Sequence, residues 1–207
     1  MEIRQAIENR RSINYFDTEK RIDENIIDQI LNLAALSPSN MNLQPWKVLT
    51  VISPEKKELL KKTAFNQPKV TEASVMFVIL ADKDYAEKNA ADIAADMKRL
   101  GYIDEKAAEG YPAKASAGQG APDSAVRERN AIISSSLFAM NLMYACAAHG
   151  IETHPMGGFD HEMLRKEFNI PERITPVMFI AAGYLRPGIK LLPRVKRLPA
   201  DSFNHIL

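Results

Sequence analysis

Residues 37–52 read SPSNMNLQPWKVLTVI, and the chain changes its backbone state within this stretch. Ahead of it, Asp23 is an N-cap residue type, and Ile26, Ile27, Ile30, Leu31, Leu33 and Ala34 recur at helical spacing behind it. Proline disfavours helical geometry at the residue before it, and Ser and Asn favour turns, so Ser37-Pro38-Ser39-Asn40 ends that helix. A polar loop runs to Pro45-Trp46. Beyond it, Lys47 to Ile52 is a short apolar run rich in β-formers and is predicted to be a buried strand.

Upstream, Ile3, Ala6, Ile7 and Arg10 give residues 2–10 a helical spacing. Downstream, Ser53-Pro54-Glu55 opens a helix, and Val75–Leu80 and Val177–Ala182 read as two further buried strands. The stretch from Asp84 to about Pro122 is rich in alanine and charge and contains Gly110-Tyr111-Pro112 and Gly118-Gln119-Gly120. It is predicted as helices joined in a mobile excursion able to form a lid over a pocket (84–122). The order is two helices, strand, helix, strand, more helices and a late strand, which implies an α+β fold with a mixed sheet. No repeat or linker divides the chain, so residues 1–207 are expected to form a single domain, with the proline-rich segment from Pro187 to Leu207 packing as an arm.

The bulk properties narrow the function. A chain of 207 residues that is 46% hydrophobic has a substantial core, and 27 Lys+Arg against 26 Asp+Glu leave a formal charge of +1. Such a balance provides no global field for nucleic acid and points to a small-molecule partner. One cysteine, Cys146, excludes an intramolecular disulfide framework, and the N-terminus lacks the apolar core of a secretory signal, so the expected location is cytoplasmic. From Asn130 to His149 there is no formal charge, but Ser134-Ser135-Ser136, Asn141 and Tyr144 make this segment too polar for confident membrane insertion. It reads as a buried helix with no membrane role. A helix apolar on nearly all sides must be surrounded by a large core or by a subunit interface, which hints at an obligate dimer.

His149, His154, His161 and His205 lack metal-ligand spacing and read as isolated polar histidines, so no metal site is expected. Cys146 lies in the apolar helix without an adjacent base and reads as an inert thiol. Neither GxGxxG nor GxxxxGK[ST] occurs, which argues against a Rossmann or Walker nucleotide site. The candidate anion-binding groups are Arg10-Arg11-Ser12 and Arg194-Val195-Lys196-Arg197. Three further islands combine rigid turns with polar or small residues: Ser37 to Trp46, Phe65-Asn66-Gln67-Pro68-Lys69, and His154-Pro155-Met156-Gly157-Gly158-Phe159-Asp160.

Taken in order, these islands resemble the FMN-dependent nitroreductase family: an N-terminal RRS triplet, a PSxxNxQPW loop, a glycine-containing turn after the long helix and a C-terminal basic-Arg-Leu-Pro element. The similarity runs over nearly the whole chain. It implies a three-layer α+β fold, with a central mixed or antiparallel sheet flanked by helices, in an intertwined homodimer with a C-terminal arm and FMN at the subunit interface. Carried over by position, Arg10, Arg11 (through its backbone), Ser12, Lys196 and Arg197 grip the phosphate and ribityl end, with Arg194 as the alternative to Lys196. Pro38, Ser39 and Asn42 belong to a loop lent by the partner. Asn66 and Lys69 approach the pyrimidine end of the flavin, and the small residues of Pro155-Met156-Gly157-Gly158 bring backbone amides to the ring. Asn14, also in the cofactor-binding set, stands where many relatives have Lys or Arg, and Gly157 stands where the well-known bacterial nitroreductases have glutamate.

The activity implied is hydride transfer from NAD(P)H to FMN, followed by reduction of nitroaromatics, quinones or similar acceptors in ping-pong order. Flavin carries the redox chemistry, so no catalytic side chain is named. The alternatives on the same scaffold are flavin fragmentation, dehalogenation or azoline oxidation, and a non-catalytic FMN-binding or storage protein.

Overall fold

The computed structural model describes residues 2–206. The chain runs α1 (Ile3–Asn9), α2 (Glu24–Ala34), β1 (Trp46–Val51), α3 (Pro54–Thr63), α4 (Lys69–Glu72), β2 (Val75–Asp82), α5 (Tyr85–Arg99), α6 (Glu105–Gln119), α7 (Ala125–Ala148), β3 (Glu152–Met156), α8 (His161–Phe168) and β4 (Ile174–Gly183). The strands form one sheet in the order β1-β2-β4-β3, and all three ladders are antiparallel. The one parallel pairing among the described residues is an isolated bridge between Ser12 and Thr153.

Every residue of β2 is buried, which is why its sequence is a continuous apolar run rather than an alternating one. Alternation survives in where the side chains go. Met76, Val78 and Leu80 enter one core with Leu60 of α3, Leu164 of α8, Ile13 and Phe16, while Val75, Phe77 and Ile79 enter another with Ile27 and Ile30 of α2 and Phe138, Leu142 and Cys146 of α7. β4 divides in the same way, with Phe179 and Ala181 on one side and Ile180 and Ala182 on the other. The molecule is therefore three layers deep, helix–sheet–helix. The β2–β4 register slips beside Pro176, which has no N–H to give to a central ladder.

Local chemistry sets several helix starts. Ser53, Asp104, Ser124 and Asp160 each accept a hydrogen bond from a backbone N–H in the first turn of the helix they precede. Asp23 sits at the N-cap of α2, but its side chain makes no capping bond.

Residues 84–122 form two full helices, α5 and α6, and α6 runs through Gly110-Tyr111-Pro112 without a break. Their anchor is Arg127 of α7, whose guanidinium is completely buried. Its Nη1 pairs with both carboxylate oxygens of Glu87 at 2.7 and 2.6 Å, Nε donates to the Gly120 carbonyl at 2.9 Å, and Nη2 donates to the carbonyl and hydroxyl of Ser116, both at 3.1 Å. A buried guanidinium is tolerated only when its donors are met, and here α5, α6 and the turn after α6 meet them together.

β3 is absent from the sequence-based expectation, which treats His154-Pro155-Met156 as part of a turn. It is an edge strand, where proline is permitted. The carbonyl of Thr153 accepts from Ile13 N–H at 3.3 Å on the side away from β4, and Pro155, two residues on, turns its nitrogen to that same outer side.

Candidate functional site

The residues at the outer edge of β3 converge. Arg10 ends α1 and is half-buried, and its Nη1 is enclosed by protein without a hydrogen-bond partner. Beside it lies a concavity of about 180 Å³ lined by Arg10, Arg11, Ser12, Arg194, Val195 and Arg197. Glu152 of β3, half-buried near Arg10, Arg11 and Arg194, offsets part of the charge of the four guanidinium groups around the hollow, but Arg10 Nη1 stays enclosed without an acceptor, which is costly. The two basic groups that are far apart in sequence thus line one hollow, a candidate anion cradle.

The structure distributes the roles within that cradle unevenly. Arg11 uses its Nη1 on the carbonyl of Leu192 at 2.6 Å, and Arg194 donates to the carbonyls of Glu8 and Arg10. These two arginines fasten the C-terminal arm to the end of α1. Arg197 lines the hollow, whereas Lys196 is exposed and does not. Ser12 is exposed at the rim, and Asn14 is exposed two residues further on.

Next to the cradle, His154 of β3 places Nδ1 2.7 Å from the carbonyl oxygen of Ile13 and Nε2 3.5 Å from Nζ of Lys69. Lys69 opens α4 and also reaches Oε1 of Gln67 at 3.3 Å. Burial lowers the pKa of Lys69. The reading of His154 as an isolated histidine is corrected here: its ring joins β3, the segment at Ile13 and α4. Asn66, just before α4, is exposed and held with φ 57°, next to Phe65 at φ 54°.

Met156 is buried, Pro155 half-buried, and Gly157 and Gly158 are exposed. A Cβ built on either glycine meets no atom of this chain within 4 Å. Packing within the protomer therefore does not require glycine at these positions, and the backbone there lies open to something outside the chain.

The loop of Pro38, Ser39 and Asn42 is elsewhere. It leads into β1, at the opposite edge of the sheet from β3, three strand spacings or about 14 Å across. Pro38 and Ser39 line a separate hollow of about 230 Å³ with Asn130, Ile133, Ser134 and Leu137. The loop is strained and tightly held. Met41, Asn42 and Gln44 all have positive φ, Ser39 Oγ accepts from the Gln44 N–H at 3.0 Å, and the Tyr111 hydroxyl of α6 donates to the Met41 carbonyl at 2.7 Å. Of the six described non-glycine residues with positive φ, five fall in this loop or at Phe65-Asn66, and such strain gathers where a site must be preformed. Trp46 stacks on Phe138 with ring centroids 5.1 Å apart, a core role.

Groups outside these clusters carry less. Cys146 is buried, and its thiol is pushed up to about 12 by that burial, so it is inert. Among the described residues, no group of His, Cys, Asp and Glu is arranged to hold a metal ion. α7 is long and apolar enough to cross a membrane, yet half of its most apolar window is buried inside the protein.

Comparison with known proteins agrees with this architecture. The model of the Nitroreductase family matches residues 7–184. Two proteins of Bacillus subtilis are each 33% identical to the chain: “Putative NAD(P)H nitroreductase YdgI” over 181 residues, 86% of each chain, and “Putative NAD(P)H nitroreductase YodC” over 196 residues, 94% of each. A “putative nitroreductase in complex with FMN” from Exiguobacterium sibiricum superposes with a TM-score of 0.88 at 29% identity, covering 100% of this chain and 97% of that one.

Proposed function

This chain belongs to the nitroreductase family, and we propose that it is an FMN-dependent oxidoreductase, oxidising NAD(P)H and reducing a small electron-poor acceptor. The observation that carries this reading is the enclosed, unpartnered Nη1 of Arg10 beside a hollow ringed by Arg11, Arg194 and Arg197. It is a donor set suited to a phosphate monoester, because a planar guanidinium gives paired hydrogen bonds to phosphate oxygens.

The fit extends along the edge of β3. Arg10, Ser12 and Arg197 would hold the phosphate end of FMN, with Lys196 exposed outside the hollow. Lys69 and Asn66 would meet the pyrimidine end of the ring, where a cation favours the negative charge of the reduced state. The open backbone of Gly157-Gly158 would admit the ring edge. The chemistry that FMN supplies when bound is two-electron exchange, with NAD(P)H and then an acceptor such as a nitroaromatic or quinone using the same pocket in ping-pong order. The protein binds, orients and polarises, and no side chain has to serve as acid, base or nucleophile.

The reading includes a homodimer. Pro38, Ser39 and Asn42 lead into β1, at the opposite edge of the sheet from β3, so their part in a flavin site is as the partner subunit's loop. Exposed Ile133 and Leu137 of α7 and exposed Leu192, Val195, Leu198 and Phe203 of the arm are apolar surface suited to a second subunit. We read the whole chain as one such domain, with α5 and α6 as the cover that steadies the 38–46 loop, working in a cytoplasmic setting.

Absorption spectroscopy and steady-state assay test this directly. The purified protein is expected to show oxidised-flavin bands and to consume NADH or NADPH when menadione or a nitroarene is present. A protein that binds no FMN removes the proposal. A yellow protein that turns over neither nicotinamide would leave FMN storage as the function.

A further inference from the structure

Along β3, Glu152, His154 and Met156 alternate onto one face. The Ile13 carbonyl can only accept, so at 2.7 Å it fixes the proton of a neutral His154 on Nδ1 and leaves Nε2 as a bare lone pair. The group facing that lone pair is the Lys69 ammonium, which donates to it at 3.5 Å and to Gln67 Oε1 at 3.3 Å. β3 does not need the histidine to dock on the N-terminal segment, since Ile13 N–H already bonds the Thr153 carbonyl.

We propose that His154 is a positioning residue: held as its Nδ1–H tautomer by Ile13, it uses Nε2 to aim the Lys69 ammonium at the bound flavin. This rests on the reading of Lys69 as a flavin contact. The charged groups around the ring are Lys69 from α4, Arg10 from the end of α1 and, two residues along its own strand, Glu152. Burial, against the Ile13 hydrogen bond and with the charges of Lys69 and Arg10, keeps the imidazole below its ordinary pKa and hence neutral at physiological pH. Protonation would remove the acceptor and place a second cation against Lys69.

The test is a double-mutant cycle on FMN release from the purified holoprotein, followed by flavin fluorescence on dilution, with His154→Leu, Lys69→Met and both together. Each single change is expected to weaken FMN binding by about three- to tenfold, and the double variant to release FMN no faster than Lys69→Met alone. Losses that simply add would show that His154 acts only on the fold, and the proposal would be wrong. His154→Gln retains an acceptor and is expected to restore part of the affinity, which controls for damage to β3.

The imidazole itself gives the second readout. In long-range proton–nitrogen NMR spectra, the resonance lost in His154→Leu should show the Nδ1–H tautomer, and its pKa should rise in Lys69→Met. If Lys69→Met leaves FMN affinity unchanged, the assignment of Lys69 to the flavin fails, and the pairing is then judged on NMR alone. A raised pKa supports the pairing, and an unmoved one overturns it.

Discussion

The guanidinium of Arg194 donates from Nη2 to the main-chain carbonyl of Arg10 at 2.8 Å, joining residues 184 positions apart. The same nitrogen reaches the carbonyl of Glu8, so a cation from the arm satisfies the orphan carbonyls at the end of α1, where its charge also suits the helix dipole. Arg194 thereby docks the arm and carries Arg197 to the hollow beside Arg10.

Arg194→Ala should therefore free the arm and weaken FMN binding by about tenfold, whereas Lys196→Ala should change it by no more than about twofold. Fluorescence titration with FMN and limited proteolysis of the arm measure the two effects. Equal losses from the two variants would contradict the division of labour between them.

Arg10→Ala should lower FMN occupancy before it alters turnover per bound flavin. Because Nη1 of Arg10 is enclosed without a partner, the melting temperature of the FMN-free variant should be no lower than that of the FMN-free wild type. An affinity loss of about tenfold or more is expected, since hydrogen bonds to a charged phosphate are among the stronger ones. Normal occupancy with lost turnover would show the assignment to the phosphate end to be wrong.

Glu87→Gln should leave the Arg127 guanidinium buried without its counter-charge. The cost expected in urea unfolding is about 2 kcal/mol, below the full value for a buried pair because the Glu87 side chain is itself 44% exposed. Hydrogen exchange should rise in α5 and α6 ahead of the central strands. Unaltered stability would mean that the Arg127 cluster does not anchor these helices.

Lys57 gives a pH dependence of definite sign. Its buried ammonium donates to the carbonyls of Ala73 at 2.7 Å and Thr71 at 3.2 Å, and burial, assisted by the charge of Arg21, lowers its pKa from 10.5 to about 8. Over that interval the unfolded chain holds the proton more tightly than the folded one, so folding becomes more favourable as pH rises from about 8 to 10.5. The stability of the wild type relative to Lys57→Met should increase across this window in paired denaturation curves. A flat difference would sink the assignment.

Features that depend on neighbours along the chain were legible before any fold was known. Continuous β-formers marked β2 and the middle of β4, Pro38 marked the end of α2, and the uncharged run after Asn130 marked α7, because periodicity and turn chemistry act over a few residues. The order of the Arg-rich, amide-rich and glycine-rich islands also pointed to the family and its fold. β3 escaped because Pro155 is tolerated only once the strand lies at a sheet edge with its nitrogen turned outward, and that is a property of the sheet.

Which charges meet depends on the folded chain. Nothing within reach of Arg127 along the chain announces Glu87, 40 positions away, nor does Lys69 announce His154, 85 positions away. Arg194 rather than Lys196 became the clasp because the arm's path brings only its guanidinium to the last carbonyls of α1. Hydrogen-bond partners are chosen by where packing of the two apolar cores leaves a polar group enclosed, and enclosure arises from the whole fold rather than from any local stretch of sequence.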